Sequence, residues 1–406
     1  MSDATFRHIL TGFTVLDFTQ VLSGPTATRL MVEMGAEVIK VELAPKGDPS
    51  RALPVLRGGR SAYYVQQNRG KQSVCIDLKK PAGRELVHEL IARADVVIEN
   101  FSPGAAERLG IGWQGVHATN PRAVMCSISA FGQEGPLAAL PGFDYIAQAY
   151  AGVTAMIGEP DGAPALPMLA LGDVSTGVHA ACAIGYALLD RERGGPGRYI
   201  DIAMLDAYFQ CHEINVQMHS LTGQVPARSG HHHYAVCPLG LFKARERHIC
   251  IMALDAQWPA LARAIGRPEL ATDPGYASNA ARVARSGELI ALLDAWVAAQ
   301  PSGDAVVRTL GAHHVPCAPV LSIDEVVNTP HMRERGTAHR ISDGKLGELT
   351  IPGMPLRFSD LPLHPPLEAA FLGQHNAEVL SAKLGYSEQQ VRRLEADGVL
   401  HANSDT

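Results

Sequence analysis

The sequence predicts an α/β fold organised around a parallel sheet, and the pattern of its first ~200 residues leads to that prediction. Short apolar runs of strand length recur there, segments of helical periodicity separate them, and Gly- or Pro-containing turns lie between the two. Strands that alternate with helices form right-handed βαβ units, in which the strands are parallel. Ligands of such sheets bind beyond the carboxyl ends of the strands.

The elements follow one another in a regular order. Pro81 suits the first position of a helix, and Leu86, Val87, Leu90 and Ile91 then repeat at helical spacing. Further helices are predicted at 26–35, near 104–109 and at 174–193, and RYIDIAMLDAYF (198–209) predicts a strand followed by a helix. The remaining predicted strands are TVLDF (14–18), EVIKVE (37–42), SVCIDL (73–78), DVVIEN (95–100) and AVMCSISAF (123–131).

The pattern changes after residue 224, and this change predicts three segments. Residues 1–224 are expected to form a large domain. Residues 225–330 are expected to form a smaller α+β domain, in which GLFKARERHICIMAL (240–254) is a hairpin followed by helices at 256–266 and 288–299. Residues 331–406, with a helical tail at 376–396, are expected to return to the large domain.

Composition excludes several classes of protein. The 406 residues carry a net charge of −6, so no global basic field attracts nucleic acid or an anionic membrane. The longest apolar stretch (178–189) is too short to span a bilayer, and it predicts a buried helix. Seven cysteines form no CxxC pair, and the first residues lack a secretory signal pattern, so we expect a reduced, cytoplasmic protein.

Asp173 lies in the segment LGDVSTG, immediately before the predicted long helix. The simplest interpretation is an N-cap that accepts backbone N–H bonds of the first turn. A functional role is compatible with that position, because the helix dipole favours an ionised carboxylate there. In a partly dry cleft, such a carboxylate can act as a nucleophile.

Three consecutive histidines, His231, His232 and His233, precede Tyr234. Metal binding is one interpretation, but adjacent residues on a strand point to opposite faces, and no HExxH or Cys/His spacing supports zinc. A polar loop near a binding site is the stronger interpretation, and no metal is expected. A metal-dependent hydrolase stays a minor alternative that rests on these histidines alone.

A set of cations in the first 110 residues has two interpretations. They are solvated surface residues, or some of them bind phosphate, since DLKKP places lysines before a helix N-terminus. The set comprises Arg51, Arg69, Lys71, Lys79, Lys80 and Arg108. The motifs GxSxG and GxxxxGK[ST] are absent, which argues against a serine hydrolase and a P-loop NTPase. One GxGxxG occurs, at 110–115, but it follows a predicted helix and not a strand, so it is not a dinucleotide-binding fingerprint.

An ordered set of motifs, spread over nearly the whole chain, resembles the class III CoA-transferases, the family of formyl-CoA transferase and carnitine CoA-transferase. The set is DFTQVLSGP (17–25), GAEVIKVE (35–42), ADVVIENFSPGAAERLG (94–110), NPRAVMCSISAFGQEGP (120–136), GDVSTG (172–177), DPGYASNAARV (273–283), VPCAPV (315–320) and LGQHNAEVLSAKLGYS (372–387). The resemblance implies a Rossmann-like large domain, a smaller domain and an interlocked homodimer.

The same resemblance implies a catalytic role for Asp173, which matches the family nucleophile. Its carboxylate would form an anhydride and then a thioester with CoA, which serves as co-substrate, and no other cofactor is implied. The resemblance also implies CoA contacts from Val21 and Leu22 at the pantetheine end, from Leu78 and Lys79 near the adenine and phosphates, and from Asn100, Phe101 and Arg108 near the pyrophosphate.

Three departures from the family pattern mark residues whose roles need testing. Leu43 stands where some relatives have arginine, so another cation would have to replace it. Ser129 and Phe131 stand where formyl-CoA transferase has lysine and tyrosine, and both are retained as candidate CoA contacts. A run of glycines that covers the family's site is absent, and the corresponding lid region is expected at 229–234.

Two other functions compete with CoA transfer. The racemase branch of the same fold uses a histidine where this chain has Phe143, which cannot transfer a proton. A non-catalytic CoA-binding protein is the other alternative, and the intact Asp173 motif argues against it. Arg228 together with residues 231–234 would suit a second carboxylate, so we expect short-chain, possibly dicarboxylic, acid substrates.

Overall fold

In the computed structural model, the residues described are 7–363 and 367–403, and they form two compact units. The first unit extends to Val153 and includes Met168–Glu213 and the chain from Pro330 onward. The second comprises Thr154–Pro167 and Ile214–Thr329. The predicted boundary at residue 224 therefore lies within the second unit, which also takes a segment from the middle of the predicted large domain.

Most predicted strands and helices are present within two or three residues of their expected bounds. The strands are β1 (Thr14–Asp17), β2 (Glu37–Leu43), β3 (Leu56–Arg57), β4 (Arg60–Ser61), β5 (Gln72–Ile76), β6 (Val96–Glu99), β7 (Val124–Ser129), β8 (Tyr199–Ala203), β9 (Leu239–Lys243), β10 (His248–Met252), β11 (Cys317–Pro319), β12 (Ala338–Asp343) and β13 (Gly347–Pro352).

The helices contribute most of the remaining regular structure. Short 3₁₀ turns occur at Pro49–Ala52, Thr154–Met156 and Pro268–Ala271. The α-helices are α1 (Ser23–Glu33), α2 (Ala62–Asn68), α3 (Pro81–Ile91), α4 (Ala105–Leu109), α5 (Trp113–Thr119), α6 (Asp144–Tyr150), α7 (Leu171–Glu192), α8 (Met204–Phe209), α9 (Asn215–Thr222), α10 (Trp258–Ala264), α11 (Asn279–Ala284), α12 (Ser286–Ala299), α13 (Gly303–Ala312), α14 (Ile323–Asn328), α15 (Pro330–Glu334), α16 (Asn376–Leu384) and α17 (Glu388–Ala396).

The first unit is built on a six-stranded sheet in the order β5-β2-β1-β6-β7-β8, with every neighbouring pair parallel. Val15 and Leu16 show how both faces are buried, because each belongs to a different hydrophobic cluster. Both side chains are 0% exposed. Burial on two sides explains the high apolar content of strands such as β6 and β7. The parallel pairing confirms the predicted α/β fold with a parallel sheet.

The C-terminal helices belong to this first unit. Asn376, the first residue of α16, accepts a hydrogen bond from the backbone N–H of Cys75 on β5 (3.0 Å). Val379, Leu380 and Val391 join the same hydrophobic cluster as Leu16. The predicted helical tail is therefore two helices, which begin at Asn376 and Glu388.

The second unit has its own core around a three-stranded antiparallel sheet in the order β11-β10-β9. The register His248↔Lys243 and Met252↔Leu239 confirms the predicted hairpin. Trp258 and Phe242 are buried in this core.

Helix α7 departs from the prediction of a buried helix. Val178, Tyr186 and Leu189 are 47%, 69% and 48% exposed, because only the opposite face of the helix packs on the sheet and on α1. Gly177 permits that approach, since a Cβ there would lie 2.4 Å from the carbonyl oxygen of Ser23. Among the described residues, no helix is both long and apolar enough to cross a membrane.

Candidate active site

Asp173 occupies the third position of α7, within the first helical turn. The predicted N-cap role is wrong, because the helix begins two residues earlier and Ala170, which has no hydrogen-bonding side chain, is the N-cap. The backbone at the start of α7 is satisfied from another helix instead. The N–H of Asp173 donates to Oδ2 of Asp144 over 2.7 Å.

Asp144, Tyr208 and Ser23 fix the surroundings of Asp173. The Tyr208 hydroxyl donates to Oδ1 of Asp144 at 2.6 Å, so both oxygens of that buried carboxylate are engaged. Ser23, at the start of α1, forms a side-chain hydrogen bond with the Asp173 carboxylate. Gly172 lets the Tyr208 ring approach, since a Cβ at that position would lie 2.1 Å from Cε2 of the ring.

The electrostatics of the site differ from the expectation of a carboxylate held ionised by the helix dipole. Burial raises the pKa of Asp173 to about 7, and the negative charge of Asp144 adds to the increase, while the Ser23 hydrogen bond opposes it. Tyr63 is another titratable group affected. Burial, followed by the charges of Asp173 and Asp48, raises the pKa of Tyr63 to about 12.

The loop between β1 and α1 forms one wall of the site and is held in a strained conformation. Val21 has φ of +63°, which is unfavourable for a β-branched residue. Its N–H donates to Oδ1 of Asp48 at 3.1 Å. Asp48 in turn forms a buried ion pair with Lys40 at 2.9 Å, and the Lys40 ammonium also donates to the Thr19 carbonyl at 2.7 Å.

Asn100, which directly follows β6, holds the same loop through hydrogen bonds. Its Oδ1 accepts the N–H of Gln20 at 2.7 Å, and its Nδ2 donates to the Gln20 carbonyl at 2.8 Å and to Ser23 Oγ at 3.1 Å. Because Ser23 hydrogen-bonds Asp173, the amide of Asn100 supports the nucleophile candidate through one intermediate residue. Asn100, which was predicted to contact CoA, therefore already uses its side-chain amide to hold the protein backbone.

These walls enclose a cavity of about 330 Å³ that brings half of the predicted site residues together. The predicted residues that line it are Val21, Leu22, Asn100, Phe101, Ser129, Phe131 and Asp173, together with Phe143 of the racemase comparison. Most of the other lining residues are small or apolar, among them Pro103, Leu140 and Met204. The Ser129 hydroxyl is buried, and no hydrogen-bond partner for it occurs in the described part of the chain.

Leu78, Lys79 and Arg108 do not line this cavity. The Leu78 side chain is 3% exposed and belongs to the core, so only its backbone could contact a ligand. Lys79 and Arg108 are exposed. Arg84 is a cation that the sequence analysis missed, and its Nη1 donates to the carbonyls of Leu78 (3.0 Å) and Lys79 (3.2 Å).

Three of the six candidate phosphate-binding cations are structural. Lys71 pairs with Asp17 at 3.0 Å, Arg51 pairs with Glu42 at 2.6 Å, and Arg69 pairs with Glu33 at 2.5 Å. These side chains are largely removed from solvent, so each cation neutralises a carboxylate inside the first unit. The remaining candidates for phosphate binding are Lys79, Lys80 and Arg108, to which the structure adds Arg84.

The three histidines lie in the second unit and have separate surroundings. His231 Nδ1 is 3.0 Å from Glu159 Oε1. His232 packs edge-on against Phe242, and burial lowers its pKa. His233 stacks on Tyr234 at 5.1 Å between ring centroids. Within residues 7–363 and 367–403, no group of three His, Cys, Asp or Glu side chains is arranged to hold a metal ion.

Arg228 and Tyr234 have partners within the second unit as well. The Arg228 guanidinium donates to the carbonyls of Ala155, Glu159 and Gly162 at 3.2, 3.1 and 2.7 Å. The Tyr234 hydroxyl donates to Asn215 Oδ1 at 2.7 Å. Three donors of Arg228 therefore hold the 154–167 segment, and binding of a second carboxylate by Arg228 stays a prediction.

A sequence profile described as CoA-transferase family III matches residues 10–376. The chain belongs to CoA-transferase family III. This finding confirms the resemblance drawn from the motifs, and it identifies the protein as a class III CoA-transferase.

Relatives within CoA-transferase family III align with nearly the whole chain. The formyl-CoA:oxalate CoA-transferase of Streptomyces coelicolor is 34% identical over 409 residues, which covers 96% of this chain and 99% of the relative. The succinyl-CoA:glutarate CoA-transferase of Mus musculus is 33% identical over 402 residues, with coverage of 98% and 92%. A crystal structure of a CaiB/BaiF family protein from Brucella suis has a TM-score of 0.80 at 32% identity, covering 93% of this chain and 100% of that one.

The sequence of this family III chain did not reveal the side chains that surround Asp173. Asp144 follows Phe143, the position at which the racemase comparison was made, so the motif drew attention to the wrong residue. Tyr208 and Tyr63 carried no signal, because a lone tyrosine near an apolar run is most often a core residue. Only the folded chain shows that these side chains approach the start of α7.

Proposed function

We propose that this CoA-transferase moves CoA from an acyl-CoA thioester to a free carboxylic acid, with Asp173 as nucleophile. The observation that carries the proposal is the position of Asp173, whose carboxylate lines the cavity shared by the predicted CoA contacts. A carboxyl with a pKa near 7 is ionised in a substantial fraction at neutral pH, and it is more basic than an ordinary aspartate.

The first half of the reaction forms two covalent intermediates. A carboxylate oxygen of Asp173 attacks the thioester carbonyl, the C–S bond breaks, and a mixed anhydride and CoA thiolate result. The thiolate then attacks the aspartyl carbonyl of the anhydride. The donor acid leaves as its carboxylate, and an aspartyl-CoA thioester remains on Asp173.

The second half runs the same steps in reverse with the acceptor acid. Its carboxylate attacks the aspartyl thioester, which releases CoA thiolate and forms a new anhydride. The thiolate attacks the acceptor's carbonyl, so acyl-CoA forms and the Asp173 carboxylate returns. No electrons are gained or lost, and no proton has to be stored, so CoA is the only co-substrate the scheme requires.

The cavity suits the pantetheine arm of CoA in size and polarity. Its volume of about 330 Å³ and its mainly apolar wall would exclude bulk water, which protects the anhydride and the thioester from hydrolysis. The unpaired Ser129 hydroxyl would serve an amide of pantetheine, and Phe131, held edge-on against Tyr150 at 5.1 Å, forms a rigid wall. Arg84, Lys79 and Arg108 are the proposed cations for the phosphates.

The proposed acids are short-chain carboxylates. The named relatives act on oxalate and glutarate, so dicarboxylic acids head the candidates. The segment from His231 to Tyr234 stays a candidate for contact with the acid substrate. A cytoplasmic location stays a prediction from the cysteine usage.

A homodimer is part of the proposal, and α7 supports it. Leu171, Val174, Val178, Tyr186 and Leu189 recur at intervals of three to eight residues, and all are 44–69% exposed. This stripe would be covered by a second copy of the chain. Light scattering should give twice the chain mass, and a mass of one chain would contradict the homodimer.

The transfer reaction is tested with acyl-CoA donors and unlabelled free acids, with product thioesters identified by mass. Formyl-CoA, acetyl-CoA and succinyl-CoA are the donors, and oxalate, succinate and glutarate are the acceptors. The expected result is a new acyl-CoA whose formation requires both substrates. Hydrolysis of the donor at the same rate without acceptor would contradict transfer.

A further inference from the structure

The carboxylate of Asp144 lies beneath the nucleophile and makes no ion pair with any cation of the described chain. Asp144 is the first residue of α6, and it is 5% exposed. Its oxygens accept the Asp173 N–H at 2.7 Å and the Tyr208 hydroxyl at 2.6 Å. An acid buried without a cation is costly, and such groups concentrate at functional sites.

We propose that Asp144 is a positioning residue for acyl transfer: its carboxylate fixes the Asp173 peptide, and its charge favours the acylated state of Asp173 over the free carboxylate. This inference rests on the function proposed above. It concerns a residue that does not line the cavity and therefore acts through Asp173.

The positioning part follows from the hydrogen bonds. The start of α7 has no side-chain cap, so the Asp173 N–H would be unsatisfied without Asp144. Tyr208 holds Asp144 in turn, and Gln148 donates to the Tyr208 hydroxyl at 3.3 Å. The orientation of the Asp173 backbone is thereby set by helices α6 and α8 as well as by α7.

The electrostatic part follows from the charge of the intermediates. In the resting site, two carboxylates repel each other, which contributes to the raised pKa of Asp173. Acylation makes Asp173 a neutral anhydride, and its negative charge leaves on the CoA thiolate. The repulsion ends at that step, so Asp144 destabilises the reactant carboxylate relative to both covalent intermediates.

Other groups near Asp173 cannot replace this effect. Tyr63 is neutral at physiological pH because its pKa is raised, and Ser23 donates a hydrogen bond that favours the ionised carboxylate. Tyr208 is also neutral, since burial raises its pKa. Among the described residues that line the cavity, none is lysine, arginine or histidine.

The test is Asp144→Asn, which removes the charge but keeps the geometry. The asparagine carbonyl can accept the Asp173 N–H, and its amide can donate to the Tyr208 oxygen. The acid limb of kcat/KM should move down by about one pH unit, because Asp173 then ionises more readily. The plateau should fall about threefold to tenfold, since a less basic carboxylate is a weaker nucleophile.

Two further variants separate charge from structure. Tyr208→Phe keeps the ring against Gly172 but removes the donor to Asp144, so the acid limb should move to higher pH. Asp190→Asn removes a charge at the other end of α7, about 25 Å away, and should leave the limb at its wild-type position. Thermal midpoints of all variants show whether each one folds.

Suppose that the wild-type protein transfers CoA and that the acid limb of kcat/KM is unchanged in Asp144→Asn. That result would overturn the role proposed for Asp144 and leave the proposed function standing. If Asp144→Asn does not fold, the Tyr208→Phe variant decides. An acid limb of kcat/KM that stays in place or moves to lower pH in that variant would overturn the role proposed for Asp144. Failure of the proposed function looks different, because the wild-type protein itself would then produce no new acyl-CoA.

Discussion

Replacing Asp173 by asparagine should stabilise the folded chain while it removes the proposed nucleophile. The pKa of Asp173 rises from its ordinary value of 3.8 to about 7 in the fold, so folding disfavours the ionised carboxylate. Between these values the folded chain holds a proton that the unfolded chain has lost. Stability therefore falls as pH rises from about 4 to about 7, and the cost is complete above that range.

The magnitude follows from the two pKa values. At about 1.4 kcal/mol per pKa unit, a difference of roughly three corresponds to about 4 kcal/mol as an upper limit. Asp173 keeps partial access to solvent through the cavity, which weakens the effect, so we expect about 2 kcal/mol at pH 8. Asparagine does not titrate and avoids this cost, so the gain should be small at pH 5 and larger at pH 8.

The assay is thermal unfolding of wild type and Asp173→Asn from pH 5 to pH 8.5, at one protein concentration, because oligomers unfold at concentration-dependent temperatures. Asp190→Asn, which loses a half-buried carboxylate of the same helix that pairs with Arg198, serves as the charge control. The difference in midpoint between Asp173→Asn and wild type should grow with pH. A pH-independent difference, or a less stable variant at pH 8, would refute the electrostatic reasoning.

The remaining predictions concern the scaffold of the site. Gly172→Ala should sharply reduce activity and lower the unfolding midpoint, because its Cβ would lie 2.1 Å from an aromatic ring. Gly287→Ala, in α12, has open space and should be neutral or stabilising by about 0.5–1 kcal/mol, so equal midpoints for the two variants would contradict this reasoning. Val21→Gly should raise the KM for acyl-CoA, and an unchanged KM would argue against Val21 as part of the cavity wall. The stability should change little, because about 1–2 kcal/mol of relieved left-handed backbone strain offsets the added entropy of glycine in the unfolded chain. Lys40→Met should cost about 3–5 kcal/mol in denaturant unfolding, since it leaves Asp48 buried and unpaired; a loss below about 1 kcal/mol would contradict the buried ion pair.

The sheet could be predicted because burial on two faces leaves a direct mark on the sequence. Short apolar runs contain Val15, Val38, Val96 and Val124, and these four residues all join one cluster on one face of the sheet. The bounds of the units were harder to predict. Residues 154–167 belong to the second unit partly because Arg228 holds three of their carbonyls, a contact between residues more than 60 positions apart.

The site divides in a similar way. Asp173 and the β1–α1 loop lie within short motifs, so they could be predicted from the sequence. Both line the same cavity in the structure. The roles of Lys71 and Arg51 were not predictable, because a cation near a strand end has the same local pattern whether it faces solvent or a buried acid. Asp144 was likewise hidden, since its effect depends on α6 packing against the start of α7.

The central claim is that Asp173 becomes covalently acylated, and trapping tests it most directly. Donor acyl-CoA without acceptor, followed by hydroxylamine, should convert the Asp173 carboxyl to a hydroxamate and block further turnover. The mass change should map to the peptide containing Leu171–Gly177, and it should be absent without donor and in Asp173→Asn. Modification of Asp144 or Glu213 instead, or no donor-dependent modification in a protein that still transfers CoA, would contradict the account.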